Sequence, residues 1–127
     1  MKTDLESSLD KDVLTVFRAM GYATFRKKKL TGKSGVEHTI DIVAEKAGHL
    51  TAKRLLIECK PSEGVSALKI DEIIVFWGKV FDIGAEGLII AASKPTESAR
   101  RFAEFYGIRI MEAGGMGLKK KIMYTYI

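Results

Sequence analysis

The chain has 127 residues, enough for one domain with a real core. Its 46% hydrophobic and 29% charged residues argue against global disorder, and no apolar run reaches membrane-spanning length. The net charge of +5, with pI near 9.3, suits a polyanionic partner, and the single cysteine, Cys59, excludes an internal disulfide.

In chain order, Leu5, Leu9, Val13, Val16, Phe17 and Met20 recur at helical spacing and predict an amphipathic helix that Gly21 ends. Its first turns carry Asp4, Glu6, Asp10 and Asp12, charges that favour a helix N-terminus. Tyr22 to Leu30 reads as a strand, basic toward its end, and residues 31–35 as a flexible loop. Two more strands follow, roughly His38 to Lys46 and Ala52 to Cys59, joined around Gly48, His49 and Leu50. Pro61-Ser62-Glu63-Gly64 breaks the chain, and a second helix is expected from Val65 to Ile83. Gly87 to Ala92 is apolar throughout, as in a parallel pair covered on both faces. Ser93-Lys94-Pro95-Thr96 opens a third helix to Tyr106, and Ile108 to Met111 forms a short strand. Beyond Gly114, Gly115 and Gly117, Ile122 to Ile127 is expected as an edge strand or a disordered end. Runs of strands followed by alternation imply an α/β fold, a mixed sheet with helices on both sides.

Two of these strands are interrupted by charge, as Ile40-Asp41-Ile42 and Leu55-Leu56-Ile57-Glu58-Cys59-Lys60. Burying unpaired charge is costly, so the interruptions ask for a reason. In an antiparallel hairpin Asp41 falls opposite Glu58, Val43 opposite Leu56 and Glu45 opposite Arg54, the last pair opposite in sign. Alternation then puts Asp41, Val43 and Glu45 on the face of Leu56, Glu58 and Lys60, with Ile40, Ile42, Ala44, Ile57 and Cys59 turned into a core. Two carboxylates at that spacing can hold a hard divalent cation, and a lysine beside them can orient or deprotonate a water. That is an arrangement for cutting phosphodiesters. The plainer alternative is that the strands are simply reaching solvent, with Glu58 and Lys60 an ordinary surface pair. Arg26, Lys27, Lys28 and Lys33 cluster just before Asp41 and can grip phosphates, and Lys119, Lys120 and Lys121 form a second basic run. The chain has no zinc-ligand spacing, glycine-rich phosphate loop or Ser/His/Asp spacing, which disfavours a metabolic α/β enzyme.

Asp41…Glu58-Cys59-Lys60 in this element order resembles the PD-(D/E)xK restriction-endonuclease-like superfamily, nearest to Mrr-like and archaeal restriction-endonuclease-like catalytic domains. Residues 34–42, the run 87–93, Pro95-Thr96, Ala99 and the stretch 102–108 carry the likeness, which covers about residues 5–112. It implies a restriction-endonuclease-like αβββαβ core filling the chain as a single catalytic domain, residues 1–127, and Mg²⁺- or Mn²⁺-dependent hydrolysis of DNA. By the resemblance, Asp41 and Glu58 become metal ligands with the Cys59 backbone carbonyl, and Lys60 the residue that positions or activates water. It adds an acid from the first helix, either Asp10 or, one turn earlier, Glu6. Glu37 shares the face of Asp41 if the strand is regular and is a candidate outer ligand, and His38 stands at the same strand entrance.

A core that fills the chain leaves no separate module to read base edges. The expectations are therefore a nuclease that recognises DNA structure, as junction resolvases of this fold do, a homodimer reading with loops, or a catalytic piece with a separate recognition subunit or domain. The rival from another class is a non-catalytic nucleic-acid-binding module that keeps the nuclease fold. The lone cysteine and the lack of a signal-peptide pattern fit a cytoplasmic protein without a membrane partner.

Overall fold

A computed structural model describes residues 3–48, 52–61, 67–114 and 117–127, with side chains from Ser8 onward. The elements are α1 (Thr3–Ala19), β1 (Ala23–Thr31), β2 (Glu37–Lys46), β3 (Lys53–Lys60), α2 (Ile70–Ile83), β4 (Glu86–Ala91), α3 (Glu97–Tyr106), β5 (Arg109–Glu112) and α4 (Leu118–Tyr126). The five strands form one sheet in the order β1-β2-β3-β4-β5. β1, β2 and β3 pair antiparallel, while β3, β4 and β5 pair parallel. The β2–β3 register has Val43 opposite Leu56 and Glu45 opposite Arg54 as expected, but the ladder ends at Ile42 opposite Ile57, so the expected Asp41–Glu58 pair is not part of it. Arg54 Nε donates to Glu45 Oε2 at 2.8 Å. The expected turn at Gly48, His49 and Leu50 lies partly outside the described residues.

Helices cover both faces of the sheet. On one side Val13, Leu14, Val16 and Phe17 of α1 and Ile122 and Tyr126 of α4 pack on Ile42, Ala44, Leu55, Ile57 and Cys59. On the other, Ile73, Phe76 and Val80 of α2 and Ala99 and Ala103 of α3 pack on Val43, Leu56 and Ile89. β4 is buried on both faces, which accounts for its unbroken apolar run. Gly87, the second residue of that strand, lies against α2. A Cβ there would meet Val80 at 2.8 Å and Phe76 at 2.9 Å.

Three expectations need correction. Residues 122–127 form neither an edge strand nor a disordered end but the second half of helix α4, Leu118–Tyr126, and its C-cap Ile127. Leu118, Ile122 and Tyr126 recur every four residues and so share one face. Ile122 is fully buried there, and the backbone carbonyl of Tyr126 accepts the Tyr22 hydroxyl at 2.8 Å. The second helix starts at Ile70 rather than Val65, because Leu68 is extended and bridged in parallel to Pro95, with its own N–H on Lys94 O at 2.9 Å; residues 62–66 lie outside the described residues. Ile40 does not share the face of Ile42. It packs with Val43 and Leu56 on the α2 side, so alternation along β2 breaks at Asp41. Among the described residues no helix is long and apolar enough to cross a membrane.

Candidate active site

β2 carries Asp41 to the point where the β2–β3 ladder ends, one step beyond Ile42↔Ile57. There its carboxylate reaches across to β3. Oδ2 accepts the backbone N–H of Cys59 at 3.1 Å, and Oδ1 accepts Lys27 Nζ at 3.1 Å. β3 presents Glu58 and Lys60 on the α2 side. Lys60 Nζ lies 3.3 Å from Glu58 Oε2 and 3.7 Å from Glu72 Oε1. Burial alone would lower the Lys60 pKa, but the negative charges of Glu58, Glu72 and Asp41 outweigh it and raise the value above that of an ordinary lysine. Lys60 is therefore an ammonium at neutral pH.

Behind the strands, α1 turns Asp10 inward. Asp10 is 1% exposed, the only buried charged residue among those described. Arg26 Nη2 donates to its Oδ2 at 3.0 Å, while Oδ1 is buried without a hydrogen-bond partner. The Cys59 thiol is buried in the same core. Burial, then the negative charges of Asp10, Asp41 and Glu58, pushes its pKa far up and keeps it protonated and inert.

The predicted residues thus fall into three groups. Asp41, Cys59 and Lys27 meet at the strand crossing. Glu58 and Lys60 meet beside it, joined by Glu72. Asp10 and Arg26 pair on the α1 side. The Asp10 charge is not the solvent-facing helix-end charge its position in sequence would also allow. The side chain of Glu6 lies outside the described residues. Glu37 is exposed at the start of β2, with Lys29 Nζ 4.0 Å from its Oε1. His38 turns to the C-terminal end of α2, where its Nε2 is 2.7 Å from Asp82 Oδ2. Of the basic cluster, Lys28 lies 3.9 Å over the Phe25 ring, and Lys33 is exposed.

Two residues escaped sequence reasoning. Glu72 looked like one of several charges opening α2. Its Oε2 accepts the Lys69 N–H at 2.9 Å, which caps the helix and leaves Oε1 facing Lys60. An acid three residues after the N-cap residue Lys69 was the available signal. Asp82 accepts the Ser34 N–H at 2.9 Å and the Ser34 hydroxyl at 2.6 Å besides meeting His38. No local pattern marks it.

The donors that could hold a metal are all oxygen (Asp41, Glu58, the Cys59 carbonyl and Asp10), a set suited to a hard divalent cation. The orphaned Asp10 Oδ1 adds an open acceptor. Among the described residues no three acidic, histidine or cysteine groups are gathered into a ready cage. Each carboxylate instead holds its own cation: Lys27 on Asp41, Lys60 on Glu58 and Arg26 on Asp10.

A sequence model of the Mrr_cat restriction endonuclease family matches residues 6–115. The chain belongs to the Mrr_cat restriction endonuclease family. Solved structures share the Mrr_cat chain's fold at low identity. AF1548, a protein of unknown function, is 22% identical with a TM-score of 0.73, the match covering 98% of this chain and 71% of that one. Can2 from Sulfobacillus thermosulfidooxidans, solved with cyclic tetra-adenylate, is 13% identical with a TM-score of 0.68, over 94% of this chain and 34% of that one. The MspJI restriction endonuclease, solved with a 27-mer oligonucleotide, is 16% identical with a TM-score of 0.57, over 95% of this chain and 28% of that one. The chain thus spans only about a third of the length of Can2 and of MspJI. No curated protein matches it. The five-stranded mixed sheet flanked by four helices is the restriction-endonuclease-like fold that the resemblance implied.

Proposed function

We propose that this Mrr_cat domain is a Mg²⁺- or Mn²⁺-dependent endonuclease that hydrolyses DNA phosphodiesters, with Asp41, Glu58 and Lys60 at its catalytic centre. The observation that carries the reading is the Asp41–Cys59 hydrogen bond. It pins the β2 carboxylate against the β3 segment that bears Glu58 and Lys60. Membership of a nuclease family and the fold shared with an oligonucleotide-bound endonuclease support DNA as the partner.

Asp41 and Glu58 would hold the divalent ion, with the Cys59 carbonyl and Asp10 as further oxygen donors. The bound ion would polarise the scissile phosphate and acidify a coordinated water. Lys60 is paired with Glu58 at the end of β3. It donates hydrogen bonds that hold the attacking water in line and stabilises the charge gathering on the phosphate oxygens. Glu72 positions Lys60 from the helix side. Lys28, half-exposed within β1, and Lys33, exposed in the β1–β2 loop, are assigned to flanking phosphates.

The test is a panel of labelled duplex, branched and single-stranded DNA with Mg²⁺ or Mn²⁺. Wild type should nick or cut at least one substrate, and Asp41→Ala should cut none. Lys60→Ala should lose roughly 10²–10³-fold in rate, the scale of one preorganised electrostatic donor. A folded wild type that binds DNA yet leaves the whole panel uncut would favour a non-catalytic binding module. Cutting confined to branched DNA would identify a junction-resolving nuclease. Sedimentation with and without DNA decides between a homodimer and a chain that needs a separate recognition subunit.

A further inference from the structure

We infer that Lys27 is the resident counter-ion of the Asp41 carboxylate, holding the place of the divalent cation and yielding it when that cation binds. The inference rests on the metal-dependent reading above and concerns how that site is kept before the ion arrives.

Lys27 is the only non-glycine residue with positive φ among those described, at +50°. The left-handed region is strained for a side chain with a Cβ, and such strain concentrates at functional sites. It falls at one particular place. β1 and β2 pair through Arg26↔Ile42 and again through Lys28↔Ile40, with the Lys27/Asp41 step between them outside the ladder. On β2 the same step is where Ile40 and Ile42 part to opposite faces. The two strands are therefore distorted together, and the distortion brings Lys27 Nζ onto Asp41 Oδ1 at 3.1 Å.

The choice of oxygen matters. Asp41 Oδ2 is engaged by the Cys59 N–H, so Oδ1 is the oxygen that an incoming cation can take, and Lys27 already sits on it. Of the three cations that neutralise the site carboxylates, Lys27 is the most exposed. Its side chain is 53% accessible, against 42% for Arg26 and 35% for Lys60. The more solvated ammonium is the cheaper one to move off a carboxylate, because exposed ion pairs are worth little.

Calorimetric titration of the DNA-free protein with Mn²⁺ tests this without any cleavage reaction. Lys27→Met removes the charge but keeps the chain length. Lys27→Gly removes the charge and accepts the left-handed backbone without strain, so a folding defect in the first variant does not decide the result. Both should bind Mn²⁺ about tenfold more tightly than wild type, since the ion no longer competes with an ammonium. Lys79→Met is the control. Lys79 donates to Thr39 O at 3.2 Å, close to Asp41 along β2, and removing it should change affinity by less than about twofold. Wild-type binding with no tightening in either Lys27 variant, or equal tightening in the Lys79 variant, overturns the role of Lys27 and leaves the metal reading standing. Absence of Mn²⁺ binding in wild type and both Lys27 variants overturns the metal reading, and the counter-ion role with it.

Discussion

Asp41 holds the backbone N–H of Cys59 through one carboxylate oxygen and Lys27 through the other, so a single side chain ties three strands together at the point where the chemistry is proposed. The structural part of that job needs only an acceptor on Oδ2. Asparagine can supply the acceptor but not the charge. Asp41→Asn should therefore keep its midpoint in urea close to wild type, within about 1 kcal/mol, while cleavage falls by more than roughly 10²-fold. A large loss of stability instead would mark Asp41 as chiefly structural.

Arg26 stands between Asp10 and water. Removing it leaves the buried carboxylate without its cation, a change that costs about 3 kcal/mol in buried pairs. Arg26→Met should be destabilised on that scale in urea denaturation. Adding Asp10→Asn should recover much of the loss, because the amide needs no counter-ion. If the double variant is no more stable than Arg26→Met alone, the pair is not what Arg26 serves.

The Ser34–Asp82–His38 cluster ties the β1–β2 loop to the end of α2, and Lys33 N–H adds a bond to Asp82 O at 2.8 Å. Hydrogen bonds from the Ser34 hydroxyl, His38 and the Ser34 N–H hold the Asp82 carboxyl down at about 2, against an ordinary 3.8. A depressed pKa adds stability that is complete above the unfolded value and vanishes as pH falls through the folded one. The melting-temperature gap between wild type and Asp82→Asn should thus be constant above about pH 5 and close between roughly pH 4 and 2. A gap that stays open at pH 2 would sink the assignment. Gly32→Ala should mimic Asp82→Asn, since a Cβ at Gly32 would overlap the Asp82 carboxylate.

Helix α4 is part of the core rather than a loose end. Ile122 is fully buried among residues of α1 and the sheet. Ile122→Ala should cost about 2–5 kcal/mol in chemical denaturation, the range for emptying a filled core site. An effect below about 0.5 kcal/mol would mean that α4 does not seal this face.

The raised pKa of Cys59 also has a consequence. A buried thiol surrounded by negative charge resists ionisation, and the thiolate is the reactive form. Iodoacetamide at pH 8 should modify the native protein at least about 100-fold more slowly than the urea-unfolded chain. Comparable rates, followed by mass spectrometry, would show that Cys59 is not enclosed.

Much of this was legible in the residues themselves, for reasons that are local. A strand's side chains alternate, so Val43 against Leu56 and Glu45 against Arg54 set one register, which brought Asp41 to the end of the ladder, while its bond to the Cys59 N–H came from a break in that alternation. The unbroken apolar run of β4 announced a parallel strand covered on both faces. Ile122 to Ile127 misled because a short apolar and aromatic stretch suits a strand as well as a helix. Only the surface offered by α1 and β5 selects the helix.

What the tertiary structure alone decided is the allocation of charge around the opening between β2 and β3. Composition could name Arg26, Lys27 and Lys60 as basic residues, yet not that they neutralise Asp10, Asp41 and Glu58 in turn. Nor could it show that Lys27 adopts a left-handed backbone to reach its acid, or that Asp82 and Glu72 arrive from α2. Alternation and register are properties of neighbouring residues and survive in the sequence. Which ammonium meets which carboxylate depends on where helices distant along the chain come to rest, and on a strand distortion that no local preference predicts.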